Sequence, residues 1–167
     1  GFVHHHHRET TVGELVQDIA QKYRLPAEDR GVSLSAELAA ELLWISADVG
    51  LIERALENVL DNALRYTPEG GRIDIKLEPL GEWLRIEVCD TGPGIAPSEL
   101  PLVFDRFHRV QKSGDAIGSP LGPAVAKRAV ELHGGNILCE STVGEGTTFR
   151  FELPADTPVL NAPPLPA

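Results

Sequence analysis

The sequence predicts an α/β (α+β) two-layer sandwich, a mixed sheet with about three helices on one of its faces. Three observations predict it. Two stretches alternate apolar and polar residues on either side of a short turn, as hairpins do. Two others repeat apolar residues at helical spacing. The elements also follow one another as helix, two strands, helix, hairpin, a helix-bearing insertion, helix and hairpin, an order that lets helices cover one side of a single sheet.

In chain order, Val12, Leu15, Val16 and Ile19 mark a first helix over residues 11 to 23, expected to stop near Leu25 because Pro26 follows. Gly31 to Ser35 alternates in the strand manner, and Leu42 to Ser46 is a short apolar run read as a second strand. Asp48 stands where an N-cap belongs. Beyond it, Val49, Ile52, Ala55, Leu56, Val59, Leu60 and Ala63 fall in one arc at 100° per residue, the core-facing stripe of the central helix. Asn58 and Asn62, four residues apart, share one edge of that arc, and Arg65 and Tyr66 continue the row. Asparagine competes for backbone hydrogen bonds and is a mediocre helix former, so two of them in mid-helix call for a reason beyond propensity.

Ile73, Ile75 and Leu77 alternate with polar residues, Pro79 to Glu82 turns the chain, and Leu84, Ile86 and Val88 alternate back. A short helix is expected from about Pro97, then a polar excursion from His108 to Pro120 and a helix from Gly122 to His133. Asn136 to Glu140 and Thr147 to Leu153 form a second hairpin turning at Val143 to Gly146. Residues 1–8, with His4 to His7, read as a tag remnant, residues 9–154 as one domain, and the Pro- and Ala-rich residues 155–167 as a disordered tail.

The chain has 167 residues, 42% apolar and 24% charged, enough for one domain with a usable core. A formal net charge of -10 disfavours nucleic acid and anionic membranes as partners. An anionic ligand would need a site built locally from backbone N–H groups, a metal ion or a few arginines. No apolar run approaches the ~18 residues of a membrane span, so the piece itself is expected to be soluble. The lack of any methionine suggests a fragment of a longer protein, whose parent could be membrane-anchored. Cys89 and Cys139, in no zinc spacing, read as reduced core thiols of a cytosolic domain.

Asp90 ends a buried strand, with Thr91-Gly92-Pro93-Gly94-Ile95 turning beyond it. Alone this is ordinary turn chemistry. Taken with Asn58-x-x-x-Asn62-Ala-x-Arg65-Tyr66-Thr67, Phe104-Asp-Arg-Phe107, Gly118-x-x-x-Gly122 before a helix, and Gly144-x-Gly146-Thr147-Thr148-Phe149, all in that order, it resembles the N, G1, F, G2 and G3 boxes of one family. That family is the ATP-binding catalytic domain of bacterial two-component sensor histidine kinases, in the GHKL superfamily shared with gyrase and a heat-shock chaperone. The resemblance spans about residues 11 to 153 and implies the Bergerat ATP-binding fold.

It also implies roles. Asp90 would accept a hydrogen bond from the adenine amino group, supported by Thr147, and Tyr66 would pack on the adenine. Gly92 and Gly94 would let backbone approach the nucleotide, with Ile95, Phe107, Gly118, Leu121 and Gly122 also at the site. Asn62 would offer its amide oxygen to Mg²⁺, beside the phosphates and waters. Asn58 and Arg65 would lie near the phosphates, and Arg109 would reach the γ-phosphate.

Position 58 separates transfer from hydrolysis. Superfamily members that hydrolyse ATP carry a glutamate four residues before the magnesium asparagine, and a neutral amide such as Asn58 cannot serve as base for water. Glu57 is rotated about 100° away on the helix. The resemblance therefore implies transfer of the γ-phosphoryl to a histidine. His108 and His133 lack the acidic neighbour of the family's phosphoacceptor, so the acceptor is expected on an N-terminal dimerisation domain outside this chain, with a response regulator downstream. The fragment itself is expected to be monomeric.

The G2 box departs from the family pattern: it reads Gly118-Ser-Pro-Leu-Gly-Pro-Ala124. Pro120 replaces a glycine and deletes a donor, whereas Pro123 falls where a first helical turn tolerates proline. This departure sustains a second reading, a degenerate nucleotide-binding or pseudokinase switch module with impaired ATP binding. A third, a serine kinase of the anti-sigma type, shares the fold but acts on a separate protein.

Overall fold

The computed structural model describes residues 10–38, 44–45, 49–105 and 122–155. The two hairpins anticipated from the alternation are present. β4 (Arg72–Leu80) and β5 (Trp83–Asp90) run antiparallel from Leu80 opposite Trp83 to Ile73 opposite Asp90, joined by a two-residue turn in which Gly81 takes φ +64°. β6 (Asn136–Thr142) and β7 (Gly146–Pro154) form the second, and β7 lies along β5. β2 (Ser33–Leu38) joins the other edge, parallel to β4, giving the order β2-β4-β5-β7-β6.

Among the described residues three helices cover one face of this sheet: α1 (Val12–Asp29), α2 (Val49–Tyr66) and α3 (Gly122–Leu132). α1 lies against β2, α3 against β6, and α2 packs between the two helices over β5. Ile52, Ala55, Val59 and Leu60 of α2 are fully buried against Ile73, Leu84, Ile86 and Phe151 of the sheet. Each large apolar side chain so buried stabilises the fold by about 1.5–3 kcal/mol. The opposite face is open, and most of its residues are polar or charged. Arg150 donates to Glu87 at 2.7 Å and to Glu140 at 3.1 Å, and Arg85 bridges Glu152 and Glu78. One apolar and one solvated face is what strict alternation demands.

The structure departs from the sequence reading in several places. α1 runs through Pro26 to Asp29. Pro26 is exposed, and the fully buried Ala27, one turn beyond the buried Tyr23, carries the apolar stripe past it. Beyond its end the chain turns away at Gly31, φ +74°, where Val32 N–H closes on the Ala27 carbonyl. Trp44–Ile45 is a two-residue strand, β3, outside the main sheet. It pairs with a two-residue strand the alternation did not reveal, β1 (Thr10–Thr11). The short helix expected near Pro97 is a single 3-10 turn over Leu100–Leu102.

The last helix ends at Leu132 rather than His133, whose Nδ1 lies 2.8 Å from the Ala129 carbonyl. Both cysteines are free, but only Cys139 faces the helices. Cys89 shares a row with Asp74, Thr148 and Glu140 on the open face. Asp48, the polar excursion and the tail beyond Ala155 lie outside the described residues, while Ala155 itself donates its N–H to the Glu82 carbonyl at 2.8 Å.

Candidate functional site

The helix-facing side of the sheet is apolar in every rung but the last. There Leu34, Ile73, Asp90, Thr147 and Ser141 stand side by side on β2, β4, β5, β7 and β6. The pleat that aims Leu84, Ile86 and Val88 into the core aims Asp90 the same way, so the core row ends in a carboxylate. Asp90 is only 9% exposed, and its Oδ1 accepts the Gly92 N–H at 2.9 Å. Burial pushes its pKa above the usual carboxylate value, opposed by hydrogen bonds from the Gly92 and Thr147 backbone N–H groups. No side-chain cation among the described residues contributes to that balance. A buried carboxylate with spare lone pairs favours a ligand that brings hydrogen-bond donors.

The loop after Asp90 is fixed by close approach. A Cβ on Gly92 would stand 3.0 Å from Asp90 Oδ1 and 3.1 Å from the Tyr66 carbonyl oxygen, so Gly92 is wedged between the carboxylate and the end of α2. Gly94, at φ +80°, lies against the Thr142 carbonyl, and Gly146 approaches the Asp90 carbonyl so closely that neither position has room for a Cβ. Gly144 N–H donates to the Pro93 carbonyl at 2.8 Å. The loop and the β6–β7 turn thus form one unit around Asp90 and Thr147.

Ser141 ties that unit together. Its Oγ accepts the Ile95 N–H at 2.7 Å, donates to the Gly146 carbonyl at 2.9 Å and lies 2.9 Å from Thr147 Oγ1. The sequence reading passed over this residue. The signal was present, because the alternation of Ile137 and Cys139 continues to Ser141 and puts a hydroxyl on the core face at the strand end.

α2 sorts its polar residues onto opposite edges. Glu57 makes an ion pair with Lys22 of α1, and the Tyr23 hydroxyl donates to Asp61 at 2.9 Å, so both carboxylates are turned toward α1. Asn58, Asn62, Arg65 and Tyr66 are all half-buried along the other edge, with the Arg65 guanidinium 5.8 Å from the Tyr66 ring centroid. The buried Gly122, at the start of α3, stands against Asn58: a Cβ there would lie 3.3 Å from the Asn58 carbonyl oxygen. Pro123 sits in the first turn of α3, where its missing N–H has no intrahelical partner to lose. Phe104 packs edge-on against Phe149 at 6.0 Å and carries Lys127 over its ring at 5.2 Å.

The fold thus brings Asp90, Gly92, Gly94, Ile95 and Thr147 together at one end of the sheet and places the Asn58–Tyr66 row on the adjoining helix edge. Phe107, Arg109, Gly118, Pro120 and Leu121 lie outside the described residues. Among the described residues no cluster of three His, Cys, Asp or Glu side chains could hold a metal. An amide oxygen from Asn62 is a hard donor suited to magnesium, which takes few protein ligands and keeps phosphate and water oxygens.

The Histidine kinase-, DNA gyrase B-, and HSP90-like ATPase family matches residues 47–157. This chain belongs to that family, as an ATP-binding catalytic domain of the histidine kinase type. It is 36% identical over 145 residues to the sensor protein SrrB of Staphylococcus aureus, covering 86% of this chain and 25% of SrrB. The chain therefore spans about a quarter of that relative's length. The mycobacterial sensor histidine kinase MprB superposes with TM-score 0.78 at 29% identity, covering 89% of this chain and 98% of that one. Histidine kinase ThkA, solved in complex with the response regulator protein TrrA, superposes with TM-score 0.74 at 26% identity, covering 88% of this chain and 41% of that one. No helix among the described residues is long and apolar enough to cross a membrane.

Proposed function

We propose that this domain presents Mg²⁺-ATP so that its γ-phosphoryl passes to a histidine on a dimerisation domain elsewhere in the parent protein. The observation that carries the reading is the buried Asp90 carboxylate at the end of the core row, next to a helix edge of two amides and an arginine. The Asp90 carboxylate receives the adenine amino group, Tyr66 covers the ring, and Asn58 and Arg65 meet the phosphates. Magnesium, held by the Asn62 amide oxygen, would neutralise phosphate charge. The bond from the γ-phosphorus to its bridging oxygen breaks, a bond from the phosphorus to an imidazole nitrogen forms, and ADP leaves. Positioning and charge neutralisation supply most of the catalysis.

Transfer is favoured over hydrolysis because no carboxylate of α2 faces the site. Glu57 is engaged by Lys22, and the edge residue at the corresponding position is Asn58. The complex of ThkA with its response regulator supports a response regulator as the eventual phosphoryl recipient. Under this proposal the parent protein lies in the bacterial inner membrane, with this domain on the cytoplasmic side. Pro120 favours the second reading, a nucleotide-binding switch with weakened ATP affinity, but Pro123 gives it no support.

The test is ATP affinity with and without magnesium for the unmutated chain and for Asn62→Ala, together with steady-state ADP release. The proposal expects magnesium to tighten binding only when Asn62 is present, and no sustained hydrolysis by the domain alone. Equal magnesium dependence in both proteins, or rapid turnover with water, would contradict it.

A further inference from the structure

Ser141 lies on β6 beside Thr147 and makes three contacts through one hydroxyl oxygen: the Ile95 N–H, the Gly146 carbonyl and the Thr147 hydroxyl. A serine hydroxyl has one proton to donate and two lone pairs to accept with. The Gly146 carbonyl can only accept, so it takes the serine proton. The Ile95 N–H can only donate, so it takes one lone pair. The three contacts are satisfied together in one way, with the Thr147 hydroxyl donating its proton to the remaining lone pair. Thr147 is then left with lone pairs alone for any ligand at the site.

We infer that Ser141 is a positioning residue for base selection, holding the Thr147 hydroxyl as an obligate acceptor beside the acceptor carboxylate of Asp90. This rests on the proposed nucleotide reading and deepens it. Two acceptors side by side on the last rung match an exocyclic amine, which carries two hydrogens on one nitrogen. A 6-oxo purine puts an acceptor oxygen at the same place, facing two acceptors with no proton between them. Discrimination by polar groups that the wrong ligand leaves unpaired is far stronger than discrimination by shape. The hydroxyl network therefore acts on the choice of base through Thr147, and Ser141 itself touches no nucleotide.

The experiment is calorimetric titration with ATP and with inosine triphosphate, both with Mg²⁺, of the unmutated chain, Ser141→Ala and Ser141→Thr. Without the serine lone pair the Thr147 proton is free to turn toward the site and meet a 6-oxo group. The ratio of the two dissociation constants should then fall by about tenfold in Ser141→Ala, the worth of one hydrogen bond. Ser141→Thr keeps the hydroxyl and should keep the ratio. In a Thr147→Val background, Ser141→Ala should leave the ratio unmoved, because its route of action is gone. Should Ser141→Ala not fold, the near-isosteric Ser141→Cys, with its weaker sulfur acceptor, carries the same expectation.

A merely structural role would weaken both nucleotides equally, and an unchanged ratio in Ser141→Ala overturns the inference while leaving the ATP site standing. Failure of the folded, unmutated chain to bind ATP overturns the nucleotide reading and the inference with it.

Discussion

Asp90 and Thr147 face each other across β5 and β7 on the rung where the core face turns from apolar to polar. The carboxylate takes backbone N–H groups from Gly92 and from Thr147, while the threonine hydroxyl is engaged by Ser141. The pair ends the packing row that holds the sheet to its helices and begins the ligand site. Stability and binding are therefore coupled at these two residues.

Asp90 should show this coupling in its pH dependence. Its folded pKa lies above the unfolded value, chiefly through burial, so its contribution to stability is fully present below the unfolded pKa and is lost as pH rises through the folded pKa. Asp90→Asn should flatten that part of the stability curve, measured by urea denaturation across the acid range. ATP affinity should run the other way, falling as acidification protonates Asp90, and beginning to fall at a higher pH than an ordinary aspartate would give.

Glycine substitutions should separate strain from collision. Gly70 has φ +89° with open space around it, so Gly70→Ala should cost about 1–2 kcal/mol from backbone conformation alone. Gly94→Ala adds a clash with the Thr142 carbonyl to a similar φ and should cost more, with loss of ATP binding. Denaturant midpoints of the two variants make the comparison. Equal losses would mean that the loop yields freely.

The α1–α2 contact should matter for stability and not for the ligand. Tyr23 is 8% exposed, and its hydroxyl donates to Asp61 on the helix edge that faces away from the asparagines. Tyr23→Phe should destabilise the fold by about 1.5–3 kcal/mol, the range for a hydrogen bond to a charged group, while leaving ATP affinity unchanged.

The two prolines of the G2 box should behave differently. Pro120→Gly restores a backbone donor and should tighten ATP by roughly ten- to a hundred-fold, the equivalent of about 1.5–3 kcal/mol. Pro123→Ala should change little, because Pro123 already occupies a permitted place in the first turn of α3. Titration of both variants with Mg²⁺-ATP reads the difference.

Much of the sheet was legible from alternation alone, because Ile73 to Leu77, Leu84 to Val88 and Phe149 to Leu153 lie on one buried face and their neighbours on one solvated face. The edge of α2 was legible from helical spacing, since residues four apart share a face whatever they touch. Pro26 misled because tertiary burial of Ala27 outweighed a local breaker. β1 escaped because a two-residue strand carries no period, whereas β3 was legible as an apolar run and only its place outside the main sheet was not. Ser141 escaped because a hydroxyl takes its meaning from what surrounds it. Ile95, Gly146 and Thr147 meet it only once the hairpin and the loop have folded together.

The most direct measurement is calorimetric titration of the chain with ATP in the presence of Mg²⁺, beside Asp90→Asn shown to be folded by circular dichroism. Binding in the micromolar to submillimolar range by the unmutated chain, reduced at least about a hundredfold in the variant, is the result expected when an ionised acceptor is lost from a buried site. No binding by the folded unmutated chain, or equal binding by both, would contradict the assignment of the Asp90–Thr147 rung as the adenine site.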